Sequence, residues 1–368
     1  MAADVRSCVI AAVAAVVGEP SRRLAAIEPL TGAERRFVAD RARASSTTGA
    51  EPLLAELFTS AVEAYGDRPG IADEHRSLTY REFDGWVSVT ARAMRHRGLG
   101  AGDAVAVVVP RSIESVVAIW AVSRIGAVCV PVDVTYPTAR IDHVVAGASA
   151  SVITPADIPA QPTEPVVSEP VTPVSRDALA YVITTSGTTG TPNIVGVTHR
   201  GVHRVASLGD VEPDDRVGMA ISPGFDATFH DMLLPLAAGA TLVVVPAGIT
   251  GGDDLTRFLD RTGVSVFTAT PSVVRTLRPA AIGALRLVYI GGEALSADLA
   301  AVWSEHAQVL NIYGPTETTV TVSTSAFRRG DPIRLGHPRP GIGAEVLVHG
   351  VPPTGSIKER AESLHAWL

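Results

Sequence analysis

An α/β fold with largely parallel sheets is the class this sequence predicts, and three observations predict it. Helical and strand patterns alternate along residues 52–306. Several strand runs are continuous and β-branched, as in DAVAVVVP (103–110) and GATLVVVP (239–246). The chain is long, 368 residues with 46% apolar composition, enough for a large core and more than one compact unit.

The elements follow in order. Residues 1–50 are Ala/Arg-rich and close on the small polar run ARASSTTGA (42–50), the composition of a connector and linker. The apolar stretch 9–17 is short, and acidic Asp4 beside a lone Arg6 is not the charged flank of a signal peptide; it reads as a buried helix. Helical spacing follows in PLLAELFTSAVEAY (52–65) and in 83–96, then the strand 103–110 and a helix over 115–123. Arg124 interrupts the apolar stretch 116–125, which reads as a core helix leading to the strand AVCVPV (127–132), not as a membrane span. The Pro-rich stretch 154–175 reads as surface loop or linker. Beyond it come the strand LAYVITT (179–185), helices over 200–207 and 227–236, the strand 239–246 and a helix over 253–261. The strands VSVFTAT (264–270) and LRLVYIG (285–291) and a helix over 296–306 complete the pattern. Sheets of this kind bind ligands at the carboxyl ends of their strands.

Charge and cysteine content exclude several classes. The net charge is −7, with 31 Lys+Arg against 38 Asp+Glu spread along the chain, so no nucleic-acid face and no membrane partner is expected. Cys8 and Cys129 are the only cysteines, without a CxxC or Cys/His cluster. Neither a disulfide framework nor a zinc site is indicated, and a reducing, cytoplasmic setting fits.

The densest chemical signal is TTSGTTGTPN (184–193), directly after a strand. Gly187 and Gly190 let the backbone turn and approach a ligand. Successive N–H groups and the hydroxyls of Thr185, Ser186, Thr188 and Thr189 can converge on phosphate oxygens. A flexible surface loop has the same composition, and on the residues alone both readings stand. The Walker spacing GxxxxGK[ST] is absent.

LAYVITTSGTTGTPN resembles the signature loop of the adenylate-forming enzymes, the AMP-dependent synthetases and ligases that include the amino-acid-activating domains of nonribosomal peptide synthetases. Other segments resemble that family in the same order: LTYREF (78–83), IGAVCVPVDVTYPTARI (125–141), GFDATFHD (224–231) and NIYGPTET (311–318). The Phe-Asp-Ala-Thr and Tyr-Gly-Pro-Thr-Glu versions favour the peptide-synthetase branch. The resemblance implies the large N-terminal domain of that fold: two α/β layers with mostly parallel sheets plus a partial, distorted β-barrel. It divides the chain into a connector (1–50, with LAAIEPLTGAERRFV resembling the segment before an adenylation domain), the AMP-binding domain (51–350) and a divergent tail (351–368).

It also implies roles. Thr185, Ser186, Gly187, Thr188, Thr189 and Gly190 belong to the phosphate loop. Tyr313 would stack on adenine, and Asn311, Gly314 and the turn Gly292, Glu293, Ala294 complete the nucleotide site. Thr316 would hydrogen-bond the α-phosphate, and Glu317 would hold Mg²⁺, which takes one or two carboxylates plus phosphate oxygens. Asp226 would receive the α-ammonium of an amino acid; capping the following helix is its other reading. Ala227, His230, Thr268, Tyr289, Gly291, Ile312, Val320 and Thr321 would line the side-chain pocket. Four of these are polar, so a polar or hydrogen-bonding amino acid is expected. The reaction implied uses ATP and Mg²⁺ to form aminoacyl-AMP. The partners implied are a carrier-protein domain in trans and a small activating protein.

The sequence departs from the family twice. Asn193 and Ile194 stand where lysine and glycine are usual, which weakens electrostatic support for the phosphates. After residue 350 the resemblance stops: the later ribose-binding segment and the small domain carrying a lysine are not found, and SIKERAESLHAWL (356–368) fits a terminal amphipathic helix or a truncation product. Three functions remain: an amino-acid adenylating ligase, a binding remnant of one, and an acyl-CoA or aryl-acid ligase. Asp226 argues against the last, because a substrate without an amino group has no use for its charge.

Overall fold

Local capping and a few buried polar ties decide where the elements begin. The computed structural model describes residues 17–18, 51–185, 193–206, 209–339 and 342, and residues Gly49–Gly336 form one of its two compact units. Helix α1 (Leu54–Tyr65) starts where two orphan N–H groups find acceptors: Leu53 N–H donates to Glu56 Oε2 (2.7 Å) and Leu54 N–H to His199 Nδ1 (3.1 Å). The hairpin β1 (Pro69–Ala72) and β2 (Ser77–Thr79) leads into α2 (Tyr80–His96). Thr79 accepts from Glu82 N–H, and Glu82 reaches back to Thr79 N–H (2.8 Å), so the LTYREF segment is a capping box. The helix therefore starts at Tyr80, ahead of the apolar spacing that predicts 83–96.

Strand β3 (Ala104–Val107), helix α3 (Ile113–Arg124), strand β4 (Val128–Pro131), helix α4 (Thr138–Gly147) and strand β5 (Ser151–Ile153) follow. α3 is buried along almost its whole length, which is why its hydrophobicity runs continuously. Arg124 at its end is 1% exposed and sits 2.6 Å from Asp84, with Ser88 and Ser168 also bonded to it. The Pro-rich stretch is a tethered strap: Trp86 donates to Pro159 O (2.8 Å), Glu169 pairs with Arg95 (2.5 Å), and Thr172 N–H donates to Arg124 O (2.8 Å).

The second half contains β6 (Leu179–Thr185), β7 (Asn193–Thr198), α5 (Val202–Ala206), β8 (Arg216–Met219), α6 (Ala227–Leu233), β9 (Thr241–Val244), α7 (Gly252–Arg261), β10 (Val266–Ala269), α8 (Pro271–Val274), β11 (Leu287–Gly291), α9 (Ala297–Ser304), β12 (Gln308–Tyr313) and β13 (Ser323–Phe327). α6 stops at Leu233, short of the expected 236, because Pro235 cannot continue the ladder.

One sheet runs β13-β12-β11-β10-β8-β9-β1-β2, parallel except where β13 and β2 pair at its edges. The other runs β5-β3-β4-β6-β7, parallel except for β7. This is the parallel-rich α/β architecture the sequence predicts, with antiparallel edge strands; no closed barrel forms among the described residues. Alternate residues of the longer sheet enter separate cores. Phe267, Val288, Ile290 and Val309 pack with α7 and α9, whereas Val217, Val266, Leu287 and Leu310 pack on the opposite side with Leu234. Of the stretch 9–17 only Val17 is described; it is helical and 73% exposed, so the burial expected there does not hold at that residue. The tail 351–368 lies outside the described residues, and no helix of the described residues is long and apolar enough to cross a membrane.

Candidate functional site

Register places four expected pocket residues together. Thr268 pairs with Tyr289 and Gly291 with Ile312. Tyr289 and Gly291 are two apart, so all four share one face at the carboxyl ends of β10, β11 and β12. Gly291 has no alternative, because a Cβ there would stand 2.5 Å from Ile312 Cγ1 and from its carbonyl oxygen.

α6 lies over that face and brings His230. Its Nδ1 is 3.3 Å from Thr268 Oγ1, and its ring meets Tyr289 edge-on at 5.1 Å. His230 and Tyr289 are fully buried, and Thr268 and Thr321 are 2% exposed. Tyr289 donates to Asp210 Oδ2 (3.3 Å). The polar groups expected around a substrate are therefore a buried polar floor. Val320 is buried beside Thr321, and Thr319 and Val320 hold φ of 68° and 66°, a left-handed conformation that β-branched residues rarely adopt.

Asp226 precedes α6 but does not cap it: its backbone is helical and its side chain accepts no cap hydrogen bond. The carboxylate is mostly buried, and Oδ2 has no partner among the described residues. Burial raises its pKa and the Glu317 charge adds to that, against the Thr316 hydroxyl and the Ala227 N–H, which lower it. Asp226, Thr316 and Glu317 are thus neighbours, although some 90 residues separate them in the chain. Thr316–Thr318 form a single 3₁₀ turn, on which Thr316 is half-buried and Glu317 exposed. That turn packs against β7, whose first residue, Asn193, pairs with Thr185 of β6. The hairpin carrying the phosphate-loop sequence thereby abuts the Thr316–Glu317 turn. Ser186, Gly187, Thr188, Thr189 and Gly190 lie outside the described residues. Ile194 fills the space where Gly147 of α4 lacks a Cβ.

Tyr313, just beyond the face, is 40% exposed, free for a stacking contact. Gly292 takes φ of 79° and turns the chain out of β11 through exposed Glu293 and Ala294. Glu293 is occupied at the start of α8, accepting from Ser272 N–H (3.0 Å) and Oγ (2.5 Å). Asn311 is 6% exposed and donates its amide to Arg334 O (2.7 Å). Ala227 is partly buried at the first turn of α6. Thr185 ends β6 half-buried.

Sequence reasoning missed four residues here. Asp231 is fully buried beside His230; the second carboxylate of GFDATFHD, in an apolar context, was a usable signal. Tyr181 of β6 stacks on Phe229 at 4.0 Å, and its buried hydroxyl has no partner among the described residues; burial and the Asp226 charge raise its pKa. Asp133 bonds Ser222 and holds the segment before Asp226. Arg111 donates to the carbonyls of Val245 (2.6 Å), Ala220, Pro246 (3.0 Å) and Ile249 (2.7 Å). It joins the end of β3 to the ends of β8 and β9, and nothing in its local sequence announces that. A cleft of about 640 Å³ near Leu285, Arg286 and Arg328 opens at the other, amino-terminal edge of β11 and β12, away from these groups.

Among the described residues no three His, Cys, Asp or Glu side chains gather as a metal cage. Exposed Glu317, a single carboxylate without an ion pair among the described residues, fits the sparse protein ligation of Mg²⁺ held largely by phosphate.

Comparison with known proteins identifies the family. The chain is 36% identical over 353 residues to the probable non-canonical nonribosomal peptide synthetase CymA of Salinispora arenicola, covering 92% of this chain and 4% of that protein. It is 34% identical over 325 residues to novobiocin biosynthesis protein H of Streptomyces niveus, covering 80% and 54%. It therefore spans only part of the length of these relatives. Among solved structures, the NpsA N-terminal subdomain of Klebsiella oxytoca in complex with 3-hydroxyanthranilyl-AMSN superposes with a TM-score of 0.71 at 25% identity, over 78% of this chain and 80% of that one. Residues 58–355 match the AMP-binding enzyme family, and the chain belongs to it.

Proposed function

We propose that this chain activates an amino acid as aminoacyl-AMP for nonribosomal peptide synthesis. The observation that carries the reading is Asp226: a mostly buried carboxylate with an unpartnered oxygen at the carboxyl edge of the long sheet. A buried anion without a cation is costly, and an α-ammonium group supplies the missing partner. The substrate carboxylate then attacks the α-phosphorus of ATP and pyrophosphate leaves. Thr316, close enough to Asp226 to lower its pKa, would stand between the ammonium site and the phosphates and orient both. Tyr313 offers its exposed ring to adenine, flanked by the Gly292–Ala294 turn. Glu317 would hold Mg²⁺, which neutralises phosphate charge when bound. Positioning and charge neutralisation supply most of the rate. The thiol of a carrier protein acting in trans then attacks the aminoacyl carbonyl, forming a thioester as the acyl–phosphate bond breaks, AMP leaves and the thiol proton is released to solvent.

His230, Thr268, Tyr289 and Thr321 favour a substrate with a hydrogen-bonding side chain, because an apolar one would leave them unpaired. The test is amino-acid-dependent ATP–pyrophosphate exchange with Mg²⁺ across standard and non-standard amino acids and aryl acids. Exchange with one polar amino acid, reduced at least ~100-fold in Asp226→Ala, is expected. Exchange confined to Val, Leu or Phe overturns the polar pocket. ATP binding without exchange for any acid supports a binding remnant instead.

A further inference from the structure

We propose that Asp231 is a positioning residue of the side-chain pocket: it keeps the His230 proton on Nδ1, so that Nε2 presents a bare lone pair to a donor on the substrate side chain. The inference rests on the adenylation reading for its substrate and on three observations for its geometry. First, His230 is fully buried and its Nε2 has no hydrogen-bond partner among the described residues. Buried ring nitrogens are normally satisfied, so an orphan one points to a missing ligand. Second, Nδ1 faces Thr268 Oγ1 at 3.3 Å and Asp231 Oδ1 at 3.7 Å. The two ring nitrogens diverge, so this contact turns Nε2 away from both groups. Third, both Asp231 oxygens are buried without a partner in hydrogen-bond geometry among the described residues; burial raises the Asp231 pKa, and His230, Thr268 and Arg111 nearby offset part of that rise.

The charge balance favours one tautomer. Arg111, with four of its five N–H groups donated to carbonyls, is near enough to Asp231 to offset part of its charge. A carboxylate on the Nδ1 side holds the proton there and leaves the other nitrogen as an acceptor. An acceptor at the pocket floor selects a side-chain hydroxyl or N–H and penalises the apolar isostere, which leaves the lone pair buried and unpaired.

Two readouts on the full chain test this. Nitrogen-15 spectra of histidine-labelled protein, with the resonance assigned by its loss in His230→Gln, report the tautomer directly. Wild type should show Nδ1 protonated and Nε2 bare, and Asp231→Leu, which removes every hydrogen-bonding atom at that position, should shift the proton toward Nε2. A proton on Nε2 in wild type, or a tautomer indifferent to both Asp231→Leu and Asp231→Asn, overturns the inference. In pyrophosphate exchange, wild type should prefer the hydroxylated member of an isosteric pair, Thr over Val or Tyr over Phe. Asp231→Leu should cut that preference at least ~10-fold while leaving the ATP KM unchanged. An unchanged preference overturns the proposal. Wild-type inactivity with every acid overturns the adenylation reading instead, and the tautomer spectra still decide how Asp231 acts on His230.

Discussion

Asp226 shows how one residue can be poor for stability and right for binding. Its pKa is raised by burial and by Glu317, so the folded state favours the protonated form more than the unfolded chain does. Stability from this group is full below the unfolded value near ~4 and is lost as pH rises through the folded value. Once ionised, the carboxylate holds a charge with no cationic partner among the described residues. Asp226→Asn should therefore stabilise the ligand-free chain, on the order of 1 kcal/mol and a few degrees in melting temperature at pH 7. The gain should fade toward pH 4, and the same variant should lose amino-acid binding. Thermal melts of both proteins at three pH values decide it; a less stable Asp226→Asn at pH 7 contradicts the orphaned carboxylate. Sequence context raised the suspicion, because a carboxylate flanked by apolar residues needs a partner. The capping alternative fell only when the backbone proved helical at Asp226.

At the scale of elements, the hairpin of β6 and β7 carries the functional departure. Asn193 opens β7 opposite Thr185, exposed, and this strand packs on the Thr316–Glu317 turn. A cation there would lie near the phosphates and be partly screened by solvent. Asn193→Lys should lower the KM for ATP about five-fold, an effect on the order of 1 kcal/mol that shrinks at high salt. An ATP KM that does not change, or that rises, would place residue 193 away from the nucleotide. Most elements were legible from spacing alone. The continuous apolar runs were strands or fully buried helices; GAVCV paired in parallel with β3, and GATLVVV in parallel with β8. The elements β1, β2, α4, β5, β7, β8, α8, β12 and β13 were not read from the sequence, and two that were read differed at an end: α2 began early through the Thr79–Glu82 box, and α6 stopped early before Pro235. Caps act over three or four residues and override a periodicity that needs a longer window.

At the scale of the molecule, Arg111 fastens the end of β3 to the segments after β8 and β9, joining the two sheets where their ligand-binding edges lie. Arg111→Met keeps the stem but strips every donor from four carbonyls. We expect a loss of about 3 kcal/mol, seen as a lower urea midpoint, since charged hydrogen bonds contribute about 1.5–3 kcal/mol each and their carbonyls regain water only in part. An unchanged midpoint would mean those carbonyls are satisfied without it. By itself the amino-acid order determined the parallel-rich α/β class, the family and the longer strand runs, because periodicity, turn residues and ordered motifs are local properties. Only the tertiary structure decided that Asp226 does not cap its helix, that Thr316 lies near it, and that His230 and Asp231 share a buried floor with Thr268. Those facts depend on burial and on distances between residues tens of positions apart, and neither is written in any short window of sequence.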